Sequence, residues 1–301
     1  MENIRDYRIS KGVKVEDLVR QMGSAGFQAE RLARGVEVIR KMREEKATIF
    51  LTFTANMVAS GLRSLFAKMC ELRLCDVIIT TGGAIEHDFM RSFEPYHVGD
   101  FGMDDGDLRN KGMNRIGNII VPNDRYVLLE KEIQSLFNKI YAEKRSTNPS
   151  EIARELGNAT KDKGSFLYWA ERNRIPVFSP GITDSAIGLQ TYFFKQDHPD
   201  FVVDVTGDMK DLADIVLNAK KTGGIILGGG ISKHHAIGAN IIREGMDYAV
   251  YVTTSQPWDG SLSGARTNEA VSWGKIKKRA NHVTIDGDAT IVFPLLISEF
   301  L

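Results

Sequence analysis

The chain has 301 residues, 43% hydrophobic and 26% charged, which is enough to bury a sizeable core in one large domain or two small ones. Lysine plus arginine and aspartate plus glutamate number 39 each, so no bulk nucleic-acid binding is expected, since that needs a basic excess. No apolar run approaches the roughly 20 residues of a membrane-spanning helix, and segment 1–6 is too polar for a signal peptide, so a cytoplasmic enzyme with no membrane partner is expected.

Residues 15–42 carry an amphipathic, charged pattern that predicts one or two helices, broken near Gly23 and Gly26. Residues 47–54 form a short β-branched apolar run, read as a buried strand, and 57–72 read as a helix. A second buried strand over 76–81 is closed by Gly82 and Gly83. Cys70 and Cys75 fall at the end of that helix and the start of that strand. They read as core residues, because a disulfide is not expected in a cytosolic chain and zinc would need more ligands nearby; no metal is expected. A strand over 116–121 ends at Pro122, and a charged helix covers about 127–144. The second half repeats the rhythm, with helices at 166–172, 212–220 and 233–245 and strands at 176–179, 201–205, 224–227, 248–253 and 282–285. This alternation predicts an α/β fold: a doubly wound, mostly parallel, Rossmann-like sheet with helices on both faces. The strands read as continuous apolar runs, as expected when both faces are covered. With no repeat, low-complexity tract or linker, one domain over 1–301 is expected, with 1–45 as a helical extension.

Ligands of such sheets bind beyond the carboxyl ends of the strands. Polar or glycine-rich segments fall there: 54–56, 80–83, 183–185, Gly228-Gly229-Gly230, 253–255 and 286–289. Glycines let a backbone approach a pyrophosphate, helix N-termini supply free N–H donors, and acidic residues suit ribose hydroxyls. A dinucleotide site is therefore plausible, although no Gly-x-Gly-x-x-Gly fingerprint is present and glycine turns of this kind are common in α/β proteins.

The densest chemistry lies in 268–276, where Lys275 follows Trp273 and Gly274, with Glu269 six residues upstream. A lysine against an apolar, aromatic wall finds charging costly, and its neutral amine can then form an imine. A solvated surface lysine is the other reading. His234 and His235 stand at the start of a helix, either as partly exposed helix-start residues or as a proton acceptor beside a cofactor. Trp258-Asp259-Gly260-Ser261 is either a solvated turn or a polyamine contact, with carboxylates for the ammonium groups and a ring for the methylenes.

These segments closely resemble deoxyhypusine synthases, and the similarity runs over nearly the whole chain. It is carried by 81–86, 112–118, 121–123, 176–180, 233–235, 247–251, 258–261 and 272–276. The short length and the form of 258–262 resemble the archaeal branch. The resemblance implies an NAD-dependent enzyme that oxidises spermidine to an imine, releases 1,3-diaminopropane and holds the aminobutyl unit as an imine on Lys275. It then passes that unit to a lysine of the translation initiation factor 5A precursor, where the retained NADH reduces it to deoxyhypusine. It also implies a homotetramer with active sites at dimer interfaces. Carried over residue by residue, the catalytic group is Lys275, His234 as base, and Glu269. The NAD contacts are Asn56, Thr81, Asp184, Gly229, Thr254, Ser255, Asp288 and Ala289. The polyamine contacts are Glu86, His234, Asp259, Gly260, Ser261, Glu269 and Trp273.

Three positions depart from the family pattern. His87 and Leu189 stand where relatives hold acidic residues, and Leu262 replaces a further polyamine aspartate. Each lost carboxylate removes an anchor for an ammonium group. Two other readings share the lysine and the dinucleotide segments: a homospermidine synthase-like transferase acting on a small amine, and a catalytically weak paralogue that binds NAD.

Overall fold

A computed structural model describes residues 3–301; Met1 and Glu2, which open the expected 1–45 extension and the polar segment 1–6, lie outside the described residues. Two compact units emerge. The first comprises the chain up to Phe53, Leu72–Ile79 and Lys210–Leu301, and the second comprises Thr54–Glu71 and Thr80–Met209. The chain passes from one to the other at ordinary strand and helix ends and, at Met209–Lys210, within the first turn of the helix Gly207–Asn218, which is why no Pro/Gly/Ser linker marks the boundaries in the sequence.

In the first unit five strands, β1 Thr48–Thr52, β2 Val77–Ile79, β3 Thr222–Leu227, β4 Met246–Thr253 and β5 Ile276–Asp286, pair in the order β5-β4-β3-β1-β2. Every one of these pairings is parallel. The register aligns Ile78, Leu51, Ile225, Val250 and Val283 in one row across the sheet, and all five are buried. Side chains alternate between faces along a strand, so Val250 and Tyr251 point to opposite sides. Besides Gly207–Asn218, which lies in this unit from Lys210 onward, five α-helices belong to it among the described residues: α1 Val15–Met22, α2 Phe27–Glu44, α3 Gly230–Ala239, α4 Thr267–Ser272 and α5 Ala289–Ile297. Helix α2 buries Leu32, Val36, Ile39 and Met42 as a helical stripe. It approaches the Val250 face so closely that a Cβ on Gly35 would meet Ile285 Cδ1 at 2.9 Å and Leu296 Cδ1 of α5 at 2.8 Å. Helix α3 lies on the Tyr251 face, where Lys233 stands over the Tyr251 ring. Both faces are covered, and the expected α/β class with a mostly parallel, helix-flanked sheet holds.

The expected break in 15–42 falls between α1 and α2, with Gly23 and Gly26 as the flanking caps. β4 and β5 begin earlier than their sequence patterns suggest. The charged start of β5 hides the strand signal, and Lys277 is kept there by an ion pair with Asp247 at 2.7 Å.

In the second unit the segment 57–72 is two helices, Ala55–Ala59 and Arg63–Glu71. The glycines expected to close a strand at 82–83 instead open the helix Gly82–Arg91, capped by Thr81, whose hydroxyl accepts from the Ala84 N–H at 3.2 Å. The expected strand at 116–121 is a hairpin, Met113–Ile116 with Ile119–Pro122, extended by His97–Val98 into a small antiparallel sheet. Helices Asp105–Asn110, Pro149–Ala159 and Ala186–Asp197, unread in the sequence, join Asp124–Glu143 and Phe166–Arg172 in this unit. Its polar core is the Asp88 carboxylate, which accepts from Arg63 Nε at 2.7 Å, from the Ser165 hydroxyl and from the backbone N–H groups of Phe166 and Leu167. Cys70 and Cys75 are buried, as expected. Among the described residues no helix is long and apolar enough to cross a membrane.

Candidate active site

Lys275 is placed by a helix ending. Helix α4 closes at Trp273, and Gly274 takes the left-handed conformation, φ +66°. The Gly274 N–H bonds the Val271 carbonyl at 3.0 Å and the Lys275 N–H bonds the Ala270 carbonyl at 3.0 Å, the two bonds of a Schellman turn. The glycine between tryptophan and lysine thus folds the chain back over α4 and places Lys275 immediately before Ile276, the first residue of β5. The lysine therefore comes from the amino end of a strand, not from the carboxyl edge where the sheet rule looks for chemistry.

Lys275 lines a cavity of about 320 Å³ with His234, Gly260, Ser261, Glu269 and Trp273, so six of the sequence-expected residues meet in one place. Lys233, Tyr251, Leu262 and Arg266 also line it. The Lys275 Nζ lies 3.3 Å from His234 Nε2 and 5.4 Å from the centroid of the Trp273 ring. Trp273 is 67% exposed, so its indole flanks the lysine as an open wall without enclosing it. Partial burial, and then the positive charge of Lys275, push the His234 imidazole below its ordinary value. It is thereby kept neutral and able to accept a proton at neutral pH. His234 sits in the second turn of α3, which begins at Gly230, rather than at the helix start.

Asp259 falls outside the cavity lining. Its carboxylate accepts from the Ser261 N–H at 3.0 Å, the Ser261 hydroxyl at 2.7 Å and the Gln256 N–H at 3.2 Å, shaping the loop that presents Gly260 and Ser261. Glu86 belongs to the second unit and is buried. Burial raises its carboxyl to about 7, against the pull of the Ile187 and Ala186 backbone N–H groups. His87 beside it is buried, its Nδ1 2.8 Å from the Tyr96 hydroxyl, and burial lowers the ring to about 4. A neutral imidazole thus packs where the family resemblance led to the expectation of an acid. Leu189 is exposed on Ala186–Asp197, whereas Leu262 borders the Lys275 cavity.

The residues expected at NAD fall in both units: Asn56, Thr81 and Asp184 in the second, Gly229, Thr254, Ser255, Asp288 and Ala289 in the first. Within the first unit they follow the carboxyl ends of β3, β4 and β5. A Cβ on Gly229 would fall on Ser263, so only glycine fits there. Asp288 caps α5, its carboxylate accepting from the Thr290 N–H at 2.7 Å. Glycine backbone and a capped helix N-terminus at adjacent parallel strand ends suit a dinucleotide.

The sequence reading passed over Lys233 and Tyr251. Both are 1% exposed, and the Tyr251 hydroxyl has no hydrogen-bond partner among the described residues. A signal for Lys233 was present: an apolar helix carries this lysine with glycine or an apolar residue at every i±3 and i±4 position.

The deoxyhypusine synthase family model matches residues 17–300. A probable deoxyhypusine synthase of Thermoplasma acidophilum is 42% identical over 300 residues, covering 99% of this chain and 97% of the relative. One of Pyrococcus furiosus is 45% identical over 300 residues, covering 94% and 89%. A solved structure from Entamoeba histolytica, assigned as a deoxyhypusine synthase, superposes with a TM-score of 0.72 at 27% identity, covering 98% of this chain and 96% of that one. The chain belongs to the deoxyhypusine synthase family.

Proposed function

We propose that this protein transfers the aminobutyl part of spermidine to a lysine of the translation initiation factor 5A precursor, by way of an imine on Lys275, with NAD as its redox cofactor. The observation that carries this reading is the convergence of Lys275, His234, Glu269 and Trp273 on one cavity, with Lys275 Nζ and His234 Nε2 3.3 Å apart. A neutral imidazole at that distance takes the proton that an attacking or oxidised amine must lose. Glu269 offers a carboxylate to an ammonium group, and the exposed indole of Trp273 offers a face to methylenes or to a cation. NAD would be held by Gly229, Thr254, Ser255, Asp288 and Ala289, and by Asn56, Thr81 and Asp184. When bound it would take two electrons from the amine carbon and return them to the final imine. The one-domain reading over 1–301 and the polyamine roles of Glu86 and Asp259 belong to the same proposal, as do a cytoplasmic location and a homotetramer with sites at dimer interfaces. The names of the relatives support the protein lysine as acceptor.

The test is incubation with NAD and spermidine labelled in its aminobutyl part, with either the factor precursor or putrescine as acceptor. Label on the factor with release of 1,3-diaminopropane is the expected result. Label in homospermidine moves the assignment to a small-amine transferase. No diaminopropane under either condition removes the transferase reading and leaves the NAD-binding paralogue. Lys275→Ala is expected to lose at least about a thousand-fold in transfer while its NAD affinity, measured by calorimetry, stays unchanged.

A further inference from the structure

Lys233 lies in α3, one residue before His234, and is 1% exposed. Its Nζ donates to the carbonyl oxygens of Leu262 at 2.8 Å and Ala265 at 2.7 Å, and stands 4.3 Å from the centroid of the Tyr251 ring. Those two carbonyls flank Ser263, which is itself tied down. The Ser263 hydroxyl oxygen accepts from the Gly230 N–H at 3.2 Å, and its carbonyl accepts from the Thr253 hydroxyl at 3.0 Å. Segment 257–266 is thus fastened to α3 and β4 by four hydrogen bonds, and one lysine makes two of them.

An ammonium group is an expensive fastener. Its partners here are neutral carbonyls and a ring, and Glu269 acts on it from a distance without a direct bond. Burial pushes the amine down to about 8, against the opposing pull of Glu269. The folded value lies below the ordinary 10.5, so folding disfavours the charged form, and the contribution of this group to stability improves as pH rises from about 8 toward 10.5. An apolar side chain of equal length would avoid burying an ammonium group but would leave the two carbonyls without this donor. What the lysine holds is the loop that brings Gly260 and Ser261 to the Lys275 cavity.

We propose that Lys233 is a positioning residue: it clamps the 257–266 loop in the geometry that receives the polyamine, at some expense of stability. The polyamine half rests on the function proposed above; the clamp itself does not.

Lys233→Met removes the donors and keeps the length. Amide hydrogens of 257–266 are expected to exchange about ten-fold faster or more, since two half-buried carbonyls lose their donor, while amides of β1 and β3 keep their rates. Spermidine KM is expected to rise about ten-fold or more and NAD affinity to hold within about three-fold. The thermal midpoint is expected to change little, because relief from burying an ammonium group offsets the donor that the two carbonyls lose. Lys233→Arg, which keeps charge and donors, restores loop protection relative to the methionine variant. Unchanged exchange over 257–266 overturns the clamp. A methionine variant that fails to fold, or melts well below the parent, overturns the claim that the cation is surplus to the fold. If the parent protein turns over no spermidine, the proposed function fails and the exchange rates still decide the clamp.

Discussion

Glu86 and His87 are neighbours in one buried turn, and burial drives them in opposite directions on the pH scale. The imidazole falls to about 4 and the carboxyl rises to about 7, because each loses the hydration that favours its charged form. For Glu86 the folded value lies above the ordinary 4.5. The stability it contributes is therefore complete below 4.5 and is lost as pH rises through about 7. A rise of that size corresponds to about 3 kcal/mol at most. Glu86→Gln keeps the neutral form at every pH. It should be more stable than the parent to urea at about pH 8, by up to that amount, and no more stable at about pH 4. The ionised carboxylate is the form that holds an ammonium group. Spermidine KM should thus fall between about pH 6 and about pH 8 in the parent and lose that trend in the glutamine variant. A flat profile in both would detach Glu86 from the polyamine.

At the scale of elements, the close seating of α2 on the sheet depends on missing side chains. Gly35 lets the helix meet Ile285 of β5 and Leu296 of α5, and Gly223 on β3 makes room for Met42. Interiors packed this tightly resist added volume. Gly35→Val should destabilise the protein by about 1–3 kcal/mol, read from the denaturant midpoint. No loss of stability would mean that α2 sits more loosely than the register and the glycines require. Helix α4 illustrates another device. Its six residues end in a Schellman turn that needs a glycine at 274, and the same turn sets Lys275 just ahead of β5.

For the whole molecule, the equal counts of 39 basic and 39 acidic side chains leave no net charge to keep copies apart. Leu189, Tyr192 and Phe193 on Ala186–Asp197 are each about half exposed, and Ile241, Ile242 and Ile291 of the first unit are also open to solvent. Apolar surface on that scale is usual at subunit contacts. Light scattering should find a tetramer, and Tyr192→Glu should shift it toward smaller species. A parent protein that stays monomeric at micromolar concentration would remove the assembly from the proposal.

Local pattern was sufficient for the α/β alternation, the break at Gly23 and Gly26, the buried strands over 48–52 and 222–227, and the grouping of Lys275, Glu269 and Trp273, because short apolar runs and glycine punctuation are properties of a few consecutive residues. Family resemblance added His234, Gly260 and Ser261 to the cavity, and they are there. Only the tertiary structure decided that Gly82 opens a helix, that Asp259 spends its carboxylate on its own loop, and that Trp273 is open to solvent. It also supplied the partners of Lys233, a ring from β4 and two carbonyls about thirty positions downstream. Hydrogen-bond partners and burial come from contacts distant in sequence, and no local periodicity encodes them.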